Sequence, residues 1–139
     1  MSQEYIKTVE SFYQALACRD FASVLAMLDP GMEFYAAEKF IYAAGSPYIG
    51  PEAFRDGILA RIESEWDGFA VLPEEILGAA EVVIARGRYR GKFRTTGIFI
   101  DAEFVHVFRF KEGRILALQS YTDTAQFRDA VDQVRSAAP

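Results

Sequence analysis

From Phe69 to Thr122 the chain alternates apolar and polar side chains with a period of two, and nothing else in it restricts the fold so tightly. A period of two belongs to extended strands that bury one face. The pattern predicts strands near 69–77, 81–91, 96–110 and 114–122, the last two joined by Lys111-Glu112-Gly113. With glycine in the bulge position of a three-residue loop, Phe110 pairs with Arg114. Leu116, Leu118, Ser120 and Thr122 then share a face with His106, whereas a two-residue loop would turn Gln119, Tyr121 and Asp123 to that side. The first register is preferred because it buries two leucines.

Ahead of these strands the spacing is helical. Ile6, Val9, Tyr13 and Leu16 form one stripe, widened by Phe12. Asp20 is placed to cap a short second helix with Phe21, Val24, Leu25 and Leu28 inward, ended by Asp29-Pro30-Gly31. "MEFYAAEKFIYAAG" reads as two short strands, or as one strand and an irregular loop. Pro51 and Glu52 open a third helix whose stripe is Phe54, Ile58, Ile62 and Trp66. A terminal helical tail carries Phe127, Val131 and Val134. Helices first and antiparallel strands after is the α+β order, here as a single domain over 1–139.

Strand parity separates the two faces of the sheet. Pairing Arg88 with Asp101, Arg86 with Glu103, Ile84 with Val105 and Val82 with Val107 sets charge against charge and aliphatic against aliphatic. The alternating arginines therefore read as ion pairs on a solvated sheet surface, in preference to a phosphate or nucleic-acid site. The same pairing sets Val83 opposite His106, Ala85 opposite Phe104, Gly87 opposite Ala102 and Tyr89 opposite Ile100. Both faces of the 104–108 segment are apolar, so it is a central strand covered twice. The helices cover one face, and a second copy of the chain is expected on the other, making a homodimer through the outer sheet face.

Fifteen basic against 20 acidic side chains, a net charge of −5, argue against nucleic acid as a partner. A single cysteine, Cys18, excludes an internal disulfide and a Cys-rich zinc site, and a single histidine excludes a multi-histidine metal site; no cofactor is expected. Cys18 itself reads as inert packing. No apolar run approaches the roughly 20 residues of a membrane span, and the polar, acidic "MSQEYIKTVE" is unlike a signal peptide. A soluble cytoplasmic protein without a membrane partner is expected. With 12 Phe, 7 Tyr and 1 Trp, the interior is either a bulky core or an aromatic-walled cavity.

The lone histidine, His106, sits mid-strand among Phe104, Phe108 and Phe110. An imidazole there can donate and accept, and apolar neighbours disfavour its charged form. It is either the polar centre of a pocket or a core histidine bonded to a helix backbone group or a tyrosine. Asp123 is a second catalytic candidate or else the N-cap of the terminal helix. Glu38 is a third, a base on the pocket rim or a solvated loop carboxylate. Tyr48, Trp66 and Tyr89 are candidates for walls and hydrogen-bond donors. Phe104, Phe108, Leu118 and Ser120 share the face of His106, and Phe12 and Phe54 complete the substrate-binding set from the helices.

Helix–helix, strand, "YIGPEAFRDGI", then strands bearing "HVFRFKEGRI" and "YTDTAQF" resemble the SnoaL-like, ketosteroid-isomerase-related branch of the nuclear transport factor two superfamily, over essentially the whole chain. The resemblance implies a cone-shaped, curved antiparallel sheet wrapped around three N-terminal helices (a cystatin-like arrangement), a deep apolar pocket, and dimerisation through the outer face. Laid on ketosteroid isomerase, His106 falls where the oxyanion-hole aspartic acid would be and Phe12 where its tyrosine would be. The general base falls at Ala36, with Glu38 one pleat further, so the isomerase pattern is incomplete. SnoaL-like cyclases carry a functional aspartate on the last strand, where Asp123 stands, and scytalone-dehydratase-like members use a pocket histidine. The implied function is cofactor-free isomerase, cyclase or dehydratase chemistry on an apolar substrate. His106 would polarise a carbonyl or hydroxyl oxygen, and Asp123 or Glu38 would move the carbon-bound proton. The alternative is a non-catalytic binding protein for a small hydrophobic ligand.

Overall fold

The computed structural model describes residues 2–137. Helix α1 (Ser2–Ala17) and α2 (Phe21–Ala26) precede β1 (Leu28–Tyr35). A 3-10 turn (Ala43–Gly45) and β2 (Tyr48–Ile49) lead to α3 (Pro51–Phe54), which continues through a π-helical turn (Arg55–Leu59) into α4 (Ala60–Glu65). Four strands follow, β3 (Trp66–Ala79), β4 (Val82–Phe93), β5 (Phe99–Lys111) and β6 (Arg114–Thr122), and then α5 (Thr124–Ala137). They form one curved, unclosed six-stranded sheet ordered β2-β1-β6-β5-β4-β3, so the α+β class expected from the sequence is the class observed. The pairings are antiparallel except β1 with β6. The inner face packs on α1 and α3 around Val9, Phe12, Phe54, Phe104 and Phe108. Among the described residues no helix is long and apolar enough to cross a membrane.

Local chemistry explains the element ends. Asp20 caps α2, its Oδ1 accepting from the Ser23 N–H at 3.1 Å. Pro51 opens α3, where a missing N–H costs nothing. The sequence places the end of α2 at Asp29-Pro30-Gly31, but α2 stops at Ala26 and those residues form an irregularity early in β1. The stretch after Tyr35 is an irregular loop, the second of the two alternatives. Trp66, expected on a helix, begins β3. Cys18, expected as packing, is exposed. Phe127 is buried and Val131 partly so, and the side chain of Val134 lies outside the described residues.

The β4–β5 hairpin, and β5–β6 from Arg109 to Phe104, pair two residues away from the expected register, and a shift of two leaves those side chains on their own faces. His106 lies opposite Ala85, Phe104 opposite Gly87 and Phe108 opposite Val83. The arginines are ion-paired, with different partners in part. Arg88 reaches Asp101 at 2.6 Å on the diagonal, while Arg86 turns to Glu75 at 2.7 Å instead of Glu103. These pairs are solvated and contribute little stability.

The last hairpin combines features of both anticipated turns. Glu112 and Gly113 form a two-residue turn with φ of 51° and 82°, and Lys111 pairs with Arg114. Positive φ at both central positions is what a type I′ turn requires. A bulge next to Phe110 then corrects the parity. Ile115 goes inward, Leu116 goes outward contrary to expectation, and Leu118 and Ser120 return to the inner face opposite Phe108 and His106.

Candidate functional site

His106 projects from β5 to the inner face and is 5% exposed. Phe104 stacks on its ring with centroids 4.1 Å apart, and Phe108 meets it edge-on. Each ring nitrogen has a tyrosine partner. Nδ1 lies 2.7 Å from the Tyr13 hydroxyl of α1, and Nε2 contacts the Tyr89 hydroxyl of β4. Tyr89 in turn lies 3.4 Å from Ser120 Oγ on β6. Both of the tyrosine partners come from elements that pack on β5 from different sides.

Burial lowers the His106 pKa from 6.5 to about 3, so the imidazole is neutral, with one donor and one acceptor nitrogen. Counting donors selects the tautomer. If Tyr13 O–H donates to Nδ1, then Nε2–H donates to the Tyr89 oxygen, and the Tyr89 proton is available to Ser120 or to a ligand. The opposite tautomer would strand the buried Tyr13 proton, at the cost of an unmade hydrogen bond. Burial also raises the pKa of Tyr13 and, partly offset by the Ser120 hydroxyl, that of Tyr89. The relay is thus a chain of neutral donors pointing from α1 towards Tyr89.

A cavity of about 310 Å³ lies beside this relay. Phe12 and Leu16 of α1, Phe34 of β1, and Phe69 and Val71 of β3 are parts of its apolar wall. The π-helical turn adds Ile58 and Leu59 together, because its extra residue brings two consecutive side chains inward. Tyr89 and His106 are the neutral polar side chains among the lining residues. Its charged members among the described residues are Arg19 and Glu63, paired at 3.2 Å and 43% and 45% exposed, which marks the mouth.

Of the residues singled out from the sequence, His106, Phe12, Phe54, Tyr89 and Leu118 line this cavity. Phe104, Phe108 and Ser120 do not; they pack behind the imidazole or, for Ser120, end the relay. Tyr48 is a strut, its hydroxyl on the Tyr42 carbonyl at 2.6 Å and its ring covering Gly45 and Gly57. Trp66 belongs to a second apolar cluster with Phe93 and Phe127, its indole N–H donating to the Tyr42 hydroxyl at 3.1 Å. Asp123 is exposed beyond the end of β6 and accepts from Gln126 Nε2 at 3.0 Å. Glu38 is exposed in the loop after β1. Neither carboxylate reaches the cavity, because the chain has left the sheet before each of them. Phe12 borders the void, but its neighbour Tyr13 holds the imidazole; the signal was the polar tip in an otherwise apolar stripe. Arg19 and Glu63 carried no local signal.

Among the described residues no carboxylate hydrogen-bonds to His106. The arrangement can present a hydrogen-bond donor to an oxygen atom in an apolar hollow. A proton acceptor for carbon would have to come from the rim, where Glu63 stands.

The profile of the SnoaL-like domain matches residues 9–118. The fold is also similar to solved structures. An NTF2-like protein from Burkholderia thailandensis E264 has 27% identity and a TM-score of 0.86, the match covering 94% of this chain and 98% of that one. An NTF2-like protein of unknown function from Burkholderia pseudomallei K96243 has 25% identity and a TM-score of 0.84, with the same coverage. A putative SnoaL-like polyketide cyclase from Jannaschia sp. CCS1 has 17% identity and a TM-score of 0.80, covering 99% of this chain and 95% of that one. No curated protein matches the sequence.

Proposed function

The chain belongs to the SnoaL-like domain family, and from that premise we propose that it binds an apolar small molecule through a carbonyl or hydroxyl oxygen at Tyr89. One observation carries this reading: the Tyr13–His106–Tyr89 relay ends in the wall of a cavity that is apolar apart from the Arg19–Glu63 pair at its mouth. A ligand oxygen replaces Ser120 as acceptor of the Tyr89 proton. Donation from His106 Nε2–H into the Tyr89 oxygen strengthens that bond, as successive hydrogen bonds polarise one another.

The relay gives hydrogen bonds and retains its protons. Tyr13 and Tyr89 both hold theirs more firmly than free phenols do, and the imidazole resists a second one. Such a group stabilises negative charge developing on an oxygen, as an oxyanion hole does. A second reading therefore keeps the isomerase, cyclase or dehydratase class. What favours it is Glu63, a carboxylate in the wall of the same cavity, which takes the place given earlier to Asp123 or Glu38 as base.

Mass spectrometry of molecules that co-purify with the protein identifies the ligand class directly. 2-Acetylnaphthalene, an apolar ketone, and naphthalene form a defined pair for titration. Wild type binds the ketone more tightly, and Tyr89→Phe removes about tenfold of that preference, the worth of one hydrogen bond. An unchanged preference in Tyr89→Phe overturns the reading. With the natural ligand in hand, loss of turnover in Glu63→Gln with binding retained selects the enzyme over the binder.

Two copies pairing through the outer sheet face complete the proposal. Support comes from Leu77, Ile84 and Tyr121, which are exposed there beside the half-buried Val105 and Val107.

A further inference from the structure

Helix α1 ends in a Schellman motif, with Asp20 N–H donating to Ala15 O at 2.9 Å and Arg19 N–H to Leu16 O at 3.1 Å. The residue at the turn of that motif adopts the left-handed conformation and is usually glycine. Here it is Arg19, with φ of 60°. An unfavourable backbone conformation held by a residue in a cavity wall invites a functional explanation.

The side chain is held as firmly as the backbone. Its Nη1 donates to Leu16 O at 3.3 Å, Nη2 donates to Phe69 O at 3.1 Å, and Nε pairs with Glu63 Oε1 at 3.2 Å. The two hydrogen bonds and the ion pair leave at least two of the five guanidinium N–H groups without a partner among the described residues. The guanidinium spans from α1 to β3 and lines the cavity opposite in character to the neutral relay. Its counter-ion, Glu63, is 45% exposed, so water takes over that carboxylate at small cost when a ligand anion arrives.

We propose that Arg19 is the charge-selecting group of the cavity and that the ligand is an apolar acid. Its carboxylate, or an equally anionic oxygen pair, sits at the mouth on Arg19. A neutral carbonyl or hydroxyl oxygen further along the same molecule reaches Tyr89. This assignment rests on the pocket reading above and adds the anionic end to it.

The test uses 6-acetyl-2-naphthoate and its methyl ester, which share the ketone and the apolar body and differ in charge. Titration calorimetry at low salt gives wild type an acid-to-ester affinity ratio of about ten, the size expected for a charge-assisted hydrogen bond. The ratio falls to about one in Arg19→Gln and in Arg19→Gly, the second variant being suited to the left-handed backbone and so guarding against misfolding. It rises in Glu63→Gln, where the competing carboxylate is gone. A wild-type ratio near one, or an undiminished ratio in both Arg19 variants, overturns the assignment while ester binding leaves the pocket reading standing. Failure of both probes to bind wild type overturns the two together.

Discussion

The imidazole of His106 links the interior of this protein to solution pH. Its folded pKa, about 3, lies below the 6.5 of the unfolded chain, so between those values the unfolded state binds a proton that the folded state refuses. Stability is complete above pH 6.5 and is lost as the pH falls towards 3. From pH 7 to pH 5 this one group removes about 2 kcal/mol. Urea unfolding at the two pH values measures the loss, and His106→Gln, which cannot take up a proton, shows a correspondingly smaller one. Equal losses in the two proteins would mean that the ring is not held neutral. Between pH 5 and pH 8 ligand binding should not report a histidine titration.

Among the elements, the β3–β4 pair and the β5–β6 turn carry the sharpest constraints. At Gly87 an added Cβ would lie 2.1 Å from the Leu72 carbonyl oxygen and 2.7 Å from Pro73 Cα, both backbone atoms, where β3 bulges. Gly87→Ala must push the two strands apart and is expected to cost about 3 kcal/mol, the upper part of the range for overpacking. A denaturation midpoint equal to wild type would show that the bulge yields freely. The turn residue Glu112 points the other way. It holds a φ of 51° that asparagine tolerates better. Glu112→Asn should stabilise by about 0.5–1 kcal/mol, seen as a raised thermal midpoint.

At the scale of the whole molecule, the sheet is covered on one side by helices and is open on the other. Val107 lies between Ile84 and Gln119 in the ladder, Leu77 lies beside Ile84, and Tyr121 is beside Val105. A second copy in a two-fold arrangement buries the same residues on both partners. Sedimentation equilibrium at micromolar concentration should give twice the monomer mass, and Ile84→Lys should return it to the monomer. A monomeric wild type ends the dimer proposal and leaves the cavity reading untouched, since the cavity is on the opposite face.

Alternation of side chains was enough to find the four long strands and to assign inner and outer faces, because a strand's period of two keeps those faces through any even shift of register. That is why His106, Leu118 and Tyr89 were assigned correctly to the inner face although each of them pairs two residues away from the expected register. The capped helices were legible for a similar reason, since Asp20 and Pro51 act on their immediate neighbours. The limits of the cavity were not legible. Successive residues on a helix differ by about 100°, and only the docking of α1 on the sheet decides that Phe12 borders the void while Tyr13 holds the imidazole. Asp123 and Glu38 came from the family resemblance, which carries a role to a position in a strand, and here both strands end before reaching them. Arg19 and Glu63, far apart in the chain, meet because the end of α1 and α4 converge over β3. Periodicity and capping are local properties written into adjacent residues; a hollow and its charged rim arise where distant elements fail to fill space, and only the packed chain decides that.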